Sequence, residues 1–374
     1  MFSKYLKIAM IFVSIFIIAC NSSEEDSAEV IIDDSSQVNG RVNVLATTPM
    51  IAEYVRQVGS DNIDLNILMP FSADPHSFEA SPQDAKKIAD ADLVFYVGLM
   101  YESAGVVKLL ENSVSSENIL IDIGSGINPI EFKDDDHEGH DDHDDEHKDD
   151  DDHEGHDHDD EHKDDDDHEG HDDHDDEHKD DDDHEGHDHG AYDPHFWFDP
   201  TRVSLAVEII KDELVKIDSD NQISYESNAE NFINTLKILD ENISTLINTI
   251  PIENRKIITT HEALGYLESR YGIEVLTTLI PSLNSEDGIT PKSLRSTIEQ
   301  IEKHNIKIMF LEEETPSQYN TTIEQETGIK LVSGLWVETL SEDQSYVEWL
   351  ENNVNIIVEN LPKETDDDHK GHNH

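Results

Sequence analysis

The chain has 374 residues and a formal net charge of −62, with 87 Asp/Glu against 25 Lys/Arg. That balance argues against nucleic acid and anionic membrane surfaces as partners and favours cations. The length suits two ordinary domains once one low-complexity tract is set aside, and a single cysteine, Cys20, excludes a disulfide within the chain.

In chain order, the first feature is a targeting segment. Lys4 and Lys7 are followed by a short apolar run over residues 8–18, too short to span a bilayer comfortably. It ends in Ile17-Ile18-Ala19-Cys20. A small residue before Cys at this place resembles the bacterial lipobox. That resemblance implies a leader over 1–19, cleavage before Cys20, a lipid on its sulfur, and an extracytoplasmic protein anchored to a bacterial membrane. Residues 20–40 are rich in Ser, Asp and Glu and read as a tether.

From Arg41 the pattern alternates between strand and helix, which implies a parallel sheet with helices on both faces. Strands are expected at 42–46, 63–68, 93–97 and 119–123. One helix opens at Pro49, and another at Pro82 behind Ser81 as N-cap. In such sheets ligands bind beyond the carboxyl ends of strands. His76 follows the second strand there, in Asp74-Pro75-His76.

Residues 133–190 interrupt this lobe. The unit HEGHDDHDDEHKDDDD starts at His137, recurs one residue shorter from His153 and in full from His168, and begins again at His184. Residues 134–189 hold 34 Asp/Glu and 3 Lys, about half of the net charge, and no apolar residue. Such a segment cannot bury a core and is expected to be disordered. Imidazole and carboxylate are ligands for first-row divalent metals. Four histidine pairs are therefore candidate weak, auxiliary metal sites: His137 with His140, His153 with His156, His168 with His171, and His184 with His187. After the tract a second triplet, Asp193-Pro194-His195, precedes a helix near Thr201. One loop histidine alone would call for no special account. Two Asp-Pro-His triplets point to a shared task, with Pro holding each turn.

Residues 221–250 contain neither Pro nor Gly, and their apolar positions step by three and four. Alternation then resumes. Strands are expected at 256–260, 273–279, 306–311 and 329–332, and helices at 261–271, 290–304, 316–327 and 346–361. Residues 363–374 form an acidic tail with three histidines. His261-Glu262 suggests a zinc-protease HExxH helix, but position 265 is Gly and that reading fails. His304, in the last turn of a helix, is taken as structural.

The triplets at His76 and His195, with Ala91-Asp92-Leu93-Val94-Phe95-Tyr96-Val97-Gly98-Leu99 between them, resemble the solute-binding lipoproteins of zinc and manganese ABC importers (ZnuA-like). The resemblance runs from about Val42 to Leu361, broken by the tract. Zinc members of that family often carry a His-rich loop at the same place. It implies an α/β fold of two lobes, 41–217 and 251–362, each a four-stranded parallel sheet with helices on both faces, joined by one long rigid helix over 218–250. It implies His261 as a third ligand and, through Trp336-Val337-Glu338-Thr339-Leu340, Glu338 as the fourth in place of the Asp many members carry. Three imidazoles and one carboxylate suit tetrahedral Zn²⁺, while Mn²⁺ favours more oxygen. Four protein ligands leave no place for a reactive water, so an enzyme is not expected. The expectation is a monomeric protein that captures Zn²⁺ between lobes and delivers it to an ABC permease and its ATPase. The alternatives are manganese delivery, an extracytoplasmic zinc store without a permease, and a zinc hydrolase.

Overall fold

The computed structural model describes residues 40–71, 73–132, 192–283, 287–313 and 320–363. The leader, Cys20, the tether up to residue 39 and the tail beyond residue 363 lie outside them. So does the tract, with all eight auxiliary histidines: His137 and His140, His153 and His156, His168 and His171, His184 and His187. The expected disorder of the tract and the expected weak sites on it therefore also lie outside the described residues. From Arg41 onward the described residues form one compact unit. None of their helices is long and apolar enough to cross a membrane.

The first half is built on a four-stranded parallel sheet of β1 (Val42–Ala46), β2 (Ile63–Ile67), β3 (Leu93–Tyr96) and β4 (Leu120–Asp122), in the order β2-β1-β3-β4. Helix α1 (Pro49–Gly59) starts where the sequence places it. Thr48 accepts the Ile51 N–H as N-cap, and Pro49 takes the first turn, where its missing N–H costs nothing. Helix α2 (Pro82–Ala89) begins with a capping box between Ser81 and Asp84. Helix α3 (Ala104–Ser113) is an element the sequence reading did not foresee. Its Gly105 and short apolar set (Val106 and Leu110 buried) give a weak helical period.

Helix α4 (Pro200–Ile217) is capped by Asp199 and leads into α5 (Gln222–Ile247), 26 residues or about 39 Å. Tyr225, Ala229, Phe232, Leu236, Leu239, Ile243 and Ile247 are buried along one stripe of α5. That stripe packs on α1 and α4 and also on α9 (Tyr346–Asn360), the last helix. The long helix therefore lies against elements from both halves, and one continuous core includes residues of each.

The second half contains β5 (Lys256–His261), α6 (Gly265–Tyr271), β6 (Glu274–Ile280), α7 (Pro291–His304), β7 (Ile308–Glu312), α8 (Asn320–Thr327) and β8 (Lys330–Leu335). In place of the single four-stranded sheet expected here, its strands pair as two parallel two-stranded ladders, β5 with β6 and β7 with β8. Between β5 and β7 the link at the carboxyl ends runs through side chains. The Glu312 N–H donates to Thr260 Oγ1 (3.2 Å), and the Glu312 carboxylate accepts the His261 N–H (3.1 Å). The expected helix at 261–271 begins later. His261 closes β5, still paired with Ile280 on β6, the Glu262 N–H goes on to the Ser282 carbonyl, and α6 starts at Gly265.

Candidate metal centre

Four side chains converge where strand ends and loops of the two halves meet. His76 lies in the loop after β2, His195 just before α4, His261 at the end of β5, and Glu338 in the loop between β8 and α9. One ligand atom from each lies within 4.8 Å of the others. Their side chains are 4 %, 0 %, 0 % and 3 % exposed. The structure thus brings together all four residues the sequence singled out for one site.

A carboxylate braces each of the three histidines. In both Asp-Pro-His triplets the Asp carboxylate accepts the histidine's own N–H: Asp74 from His76 at 2.9 Å, Asp193 from His195 at 2.8 Å. This is an Asx-type turn, closed by the short side chain over the following backbone. The Asp193 carboxylate also meets His195 Nδ1 at 2.8 Å. His261 has the same double contact from Glu312, whose carboxylate takes its N–H and meets Nδ1 at 2.5 Å. A carboxylate on Nδ1 holds the proton there and turns the Nε2 lone pair toward the site. Gly265, where the protease motif would need another residue, has a backbone role. A Cβ at that position would sit 2.5 Å from Asp193 Oδ2.

The Glu338 loop is held by three successive carbonyls. Trp197 Nε1 donates to the Val337 carbonyl (2.8 Å), the Tyr101 hydroxyl to the Glu338 carbonyl (3.1 Å), and Trp349 Nε1 to the Thr339 carbonyl (2.9 Å). Trp336 is partly buried and packs against the core. Asp193, Glu312 and Tyr101 were not assigned roles from sequence. Asp193 was visible inside its triplet. Glu312 left only a faint signal, an acid ending the buried run Met309-Phe310-Leu311, and Tyr101 left none.

What remains unmatched is the centre itself. His76 Nε2, His195 Nε2, His261 Nε2 and Glu338 Oε1 are buried and lack hydrogen-bond partners. Buried polar atoms are rarely left so, because each forfeits its hydration. Glu338 Oε1 lies 3.5 Å from His76 Nε2, 3.4 Å from His195 Nε2 and 2.6 Å from His261 Nε2. Ligands about 2.0 Å from one tetrahedral ion are roughly 3.3 Å apart. Two of these three separations match, and the four ligand atoms as a set lie within 4.8 Å of one another. Burial alone would push His195 down, but Glu338 and Asp193 outweigh it and hold it up to about 9. Burial would likewise lift Glu338, yet the imidazoles of His195 and His76 hold it well below the usual carboxylate range. The centre attracts positive charge, which a divalent cation can supply in place of protons.

Comparison with known proteins agrees with this picture. The sequence profile of the family described as zinc-uptake complex component A, periplasmic (ZnuA) matches residues 44–360. The chain is 24% identical over 363 residues to the manganese ABC transporter substrate-binding lipoprotein PsaA of Streptococcus mitis, covering 95% of this chain and 97% of the relative. It is 25% identical over 353 residues to the corresponding protein of Streptococcus gordonii, covering 92% and 94%. Among solved structures, the periplasmic zinc-binding protein TroA of Treponema pallidum superimposes with a TM-score of 0.67 at 18% identity, over 86% of this chain and 99% of that one. A manganese-bound periplasmic metal-binding protein of Candidatus Liberibacter asiaticus gives 0.64 at 22%, over 85% and 99%. These two likenesses bear on the fold.

Proposed function

The chain belongs to the zinc-uptake complex component A family, the extracytoplasmic substrate-binding proteins of metal ABC transporters, and from that premise we propose that it captures Zn²⁺ in its central cleft and hands it to a permease. It is a binding protein and not an enzyme. The observation that carries the reading is the group of four buried, unpartnered atoms: three imidazole nitrogens and one carboxylate oxygen, all within 4.8 Å of one another. Nitrogen-rich four-donor sets favour zinc over manganese, whose preference runs to oxygen and whose place in the divalent affinity order is lower. Manganese is the second reading, carried by the names of the streptococcal relatives.

In this reading His76, His195, His261 and Glu338 are the ligands, and α5 with the lobes at 41–217 and 251–362 is the frame that holds them. Cys20 carries the lipid that keeps a monomer at the membrane beside the permease and its ATPase. The tract histidines (His137, His140, His153, His156, His168, His171, His184 and His187) gather ions near the cleft, where tethering raises their effective concentration.

Elemental analysis of protein purified without added metal tests the cleft. The parent should keep about one zinc through dialysis against a weak chelator, and His261→Ala should keep none. Manganese in its place would establish the second reading. Equal retention by parent and His261→Ala would remove the cleft as the site.

A further inference from the structure

The two carboxylate oxygens of Glu338 are used differently. Oε1 faces the three Nε2 atoms and has no hydrogen-bond partner. Oε2 accepts the Tyr101 hydroxyl at 2.8 Å, and the same hydroxyl reaches the Glu338 carbonyl at 3.1 Å. The phenol is therefore placed against both the side chain and the backbone of one residue, which fixes the rotation of that carboxylate.

The placement of Tyr101 is over-determined. Its ring is edge-on to His76 at 5.0 Å and to Trp197 at 5.1 Å. It is delivered by the turn Gly98-Leu99-Met100, in which all three residues have positive φ (76°, 54° and 64°). For Leu99 and Met100, which carry a Cβ, that conformation is strained. Such strain persists only where neighbouring structure holds it. Here the buried Glu102 carboxylate accepts the Val97 and Gly98 amides (2.7 and 3.0 Å) and the Thr47 hydroxyl (2.7 Å). The turn is thus pinned to the ends of β1 and β3, and its product is one hydroxyl on one oxygen.

We propose that Tyr101 is a specificity-determining residue: by occupying Glu338 Oε2 it limits that carboxylate to a single oxygen toward the ion, holds the cleft at four donors, and so turns it against manganese. The inference rests on the reading of the cleft as an ion site and adds what selects the ion. A carboxylate with both oxygens free can bind in bidentate fashion and raise the donor number to five. Higher coordination with more oxygen is what manganese takes, whereas zinc is content with four donors. Tyr101 acts through Glu338 as a positioning residue. Its effect should therefore appear in coordination number and in the ratio of affinities, beyond any overall loss.

The test uses the full chain with less than one equivalent of Co²⁺, so that the tightest site fills first, and reads coordination number from the visible spectrum. The parent should give the intense bands of a four-coordinate ion, and Tyr101→Phe the weaker bands of a higher-coordinate one. In Zn²⁺/Mn²⁺ competition the preference for zinc should fall by about tenfold in Tyr101→Phe, the lower end of what loss of an outer partner does to metal affinity. A four-coordinate spectrum with an unchanged zinc/manganese ratio in the variant would overturn the proposal. So would a five- or six-coordinate spectrum in the parent, a measurement that stands even if Tyr101→Phe does not fold. His195→Ala separates the two readings. If it leaves the sub-stoichiometric Co²⁺ spectrum of the parent intact, the cleft is not the site and both readings fall. If it abolishes the spectrum while Tyr101→Phe changes nothing, only the role of Tyr101 falls.

Discussion

His195 and His261 are braced by the same device, built in two different ways. In each, one carboxylate takes the histidine's own N–H and its ring Nδ1. For His195 that carboxylate is Asp193, two residues earlier in a proline-fixed turn. For His261 it is Glu312, 51 residues later on the neighbouring strand. The first brace forms with its loop, and the second exists only once β5 and β7 lie side by side. Equivalent chemistry can thus be local and cheap to specify, or can depend on the tertiary fold it helps to hold.

Substitutions can pull this comparison apart. The largest effect is expected from Glu312→Ala. It leaves the buried His261 N–H without an acceptor, a loss of about 1–3 kcal/mol, and removes the side-chain link between β5 and β7. Thermal unfolding of metal-free protein should show the loss, and zinc titration a further 10–100-fold weakening. A variant that unfolds as the parent does would mean that the strands hold together without the brace. Asp193→Asn should do less. The amide oxygen can still accept the His195 N–H, so metal-free stability should barely move while zinc affinity drops by about tenfold. If Asp193→Asn destabilises as much as Glu312→Ala, the distinction between local and tertiary braces is wrong.

The smallest effect lies away from both histidines. Asp240 on α5 accepts Arg270 Nη2 at 2.6 Å and the Tyr271 hydroxyl at 2.8 Å, tying α6 to the long helix. Burial alone would raise Asp240, but Arg270 and Tyr271 outweigh it and hold its carboxyl below the ordinary value. A lowered carboxyl contributes stability above its unfolded pKa of about 3.9, and that contribution disappears as pH falls through the folded value. Asp240→Asn should therefore lower Tm by a few degrees at most at neutral pH, with the difference beginning to shrink near about pH 4 and vanishing only below the lowered folded value. Zinc affinity should stay unchanged, and a drop in it would show that the clasp reaches the site.

The same contrast explains what could be read in advance. Strand runs such as Val42–Ala46, capped helices such as α1 and α4, and the long stripe of α5 are local patterns, and each stood in the sequence. The Asp-Pro-His triplets were legible for the same reason, and family resemblance supplied His261 and Glu338. Glu312 and Tyr101 were not legible, because what they touch lies 51 and 237 residues away. Helix α3 escaped because its period is short and interrupted by Gly105. The helix drawn from His261 began too early, since His261 still pairs with Ile280 on β6 and the Glu262 N–H goes to the Ser282 carbonyl.

The clamps on the Glu338 loop have a practical consequence. The chain contains three tryptophans, and all of them surround that loop. Trp336 is two residues from Glu338, while Trp197 and Trp349 donate to the carbonyls on either side of it. Indole emission depends on the hydrogen bonds and polarity around the ring, so this protein's tryptophan fluorescence originates around the loop that carries the proposed ligand Glu338. The molecule carries its own optical gauge of that loop, and a dye is not required to follow it.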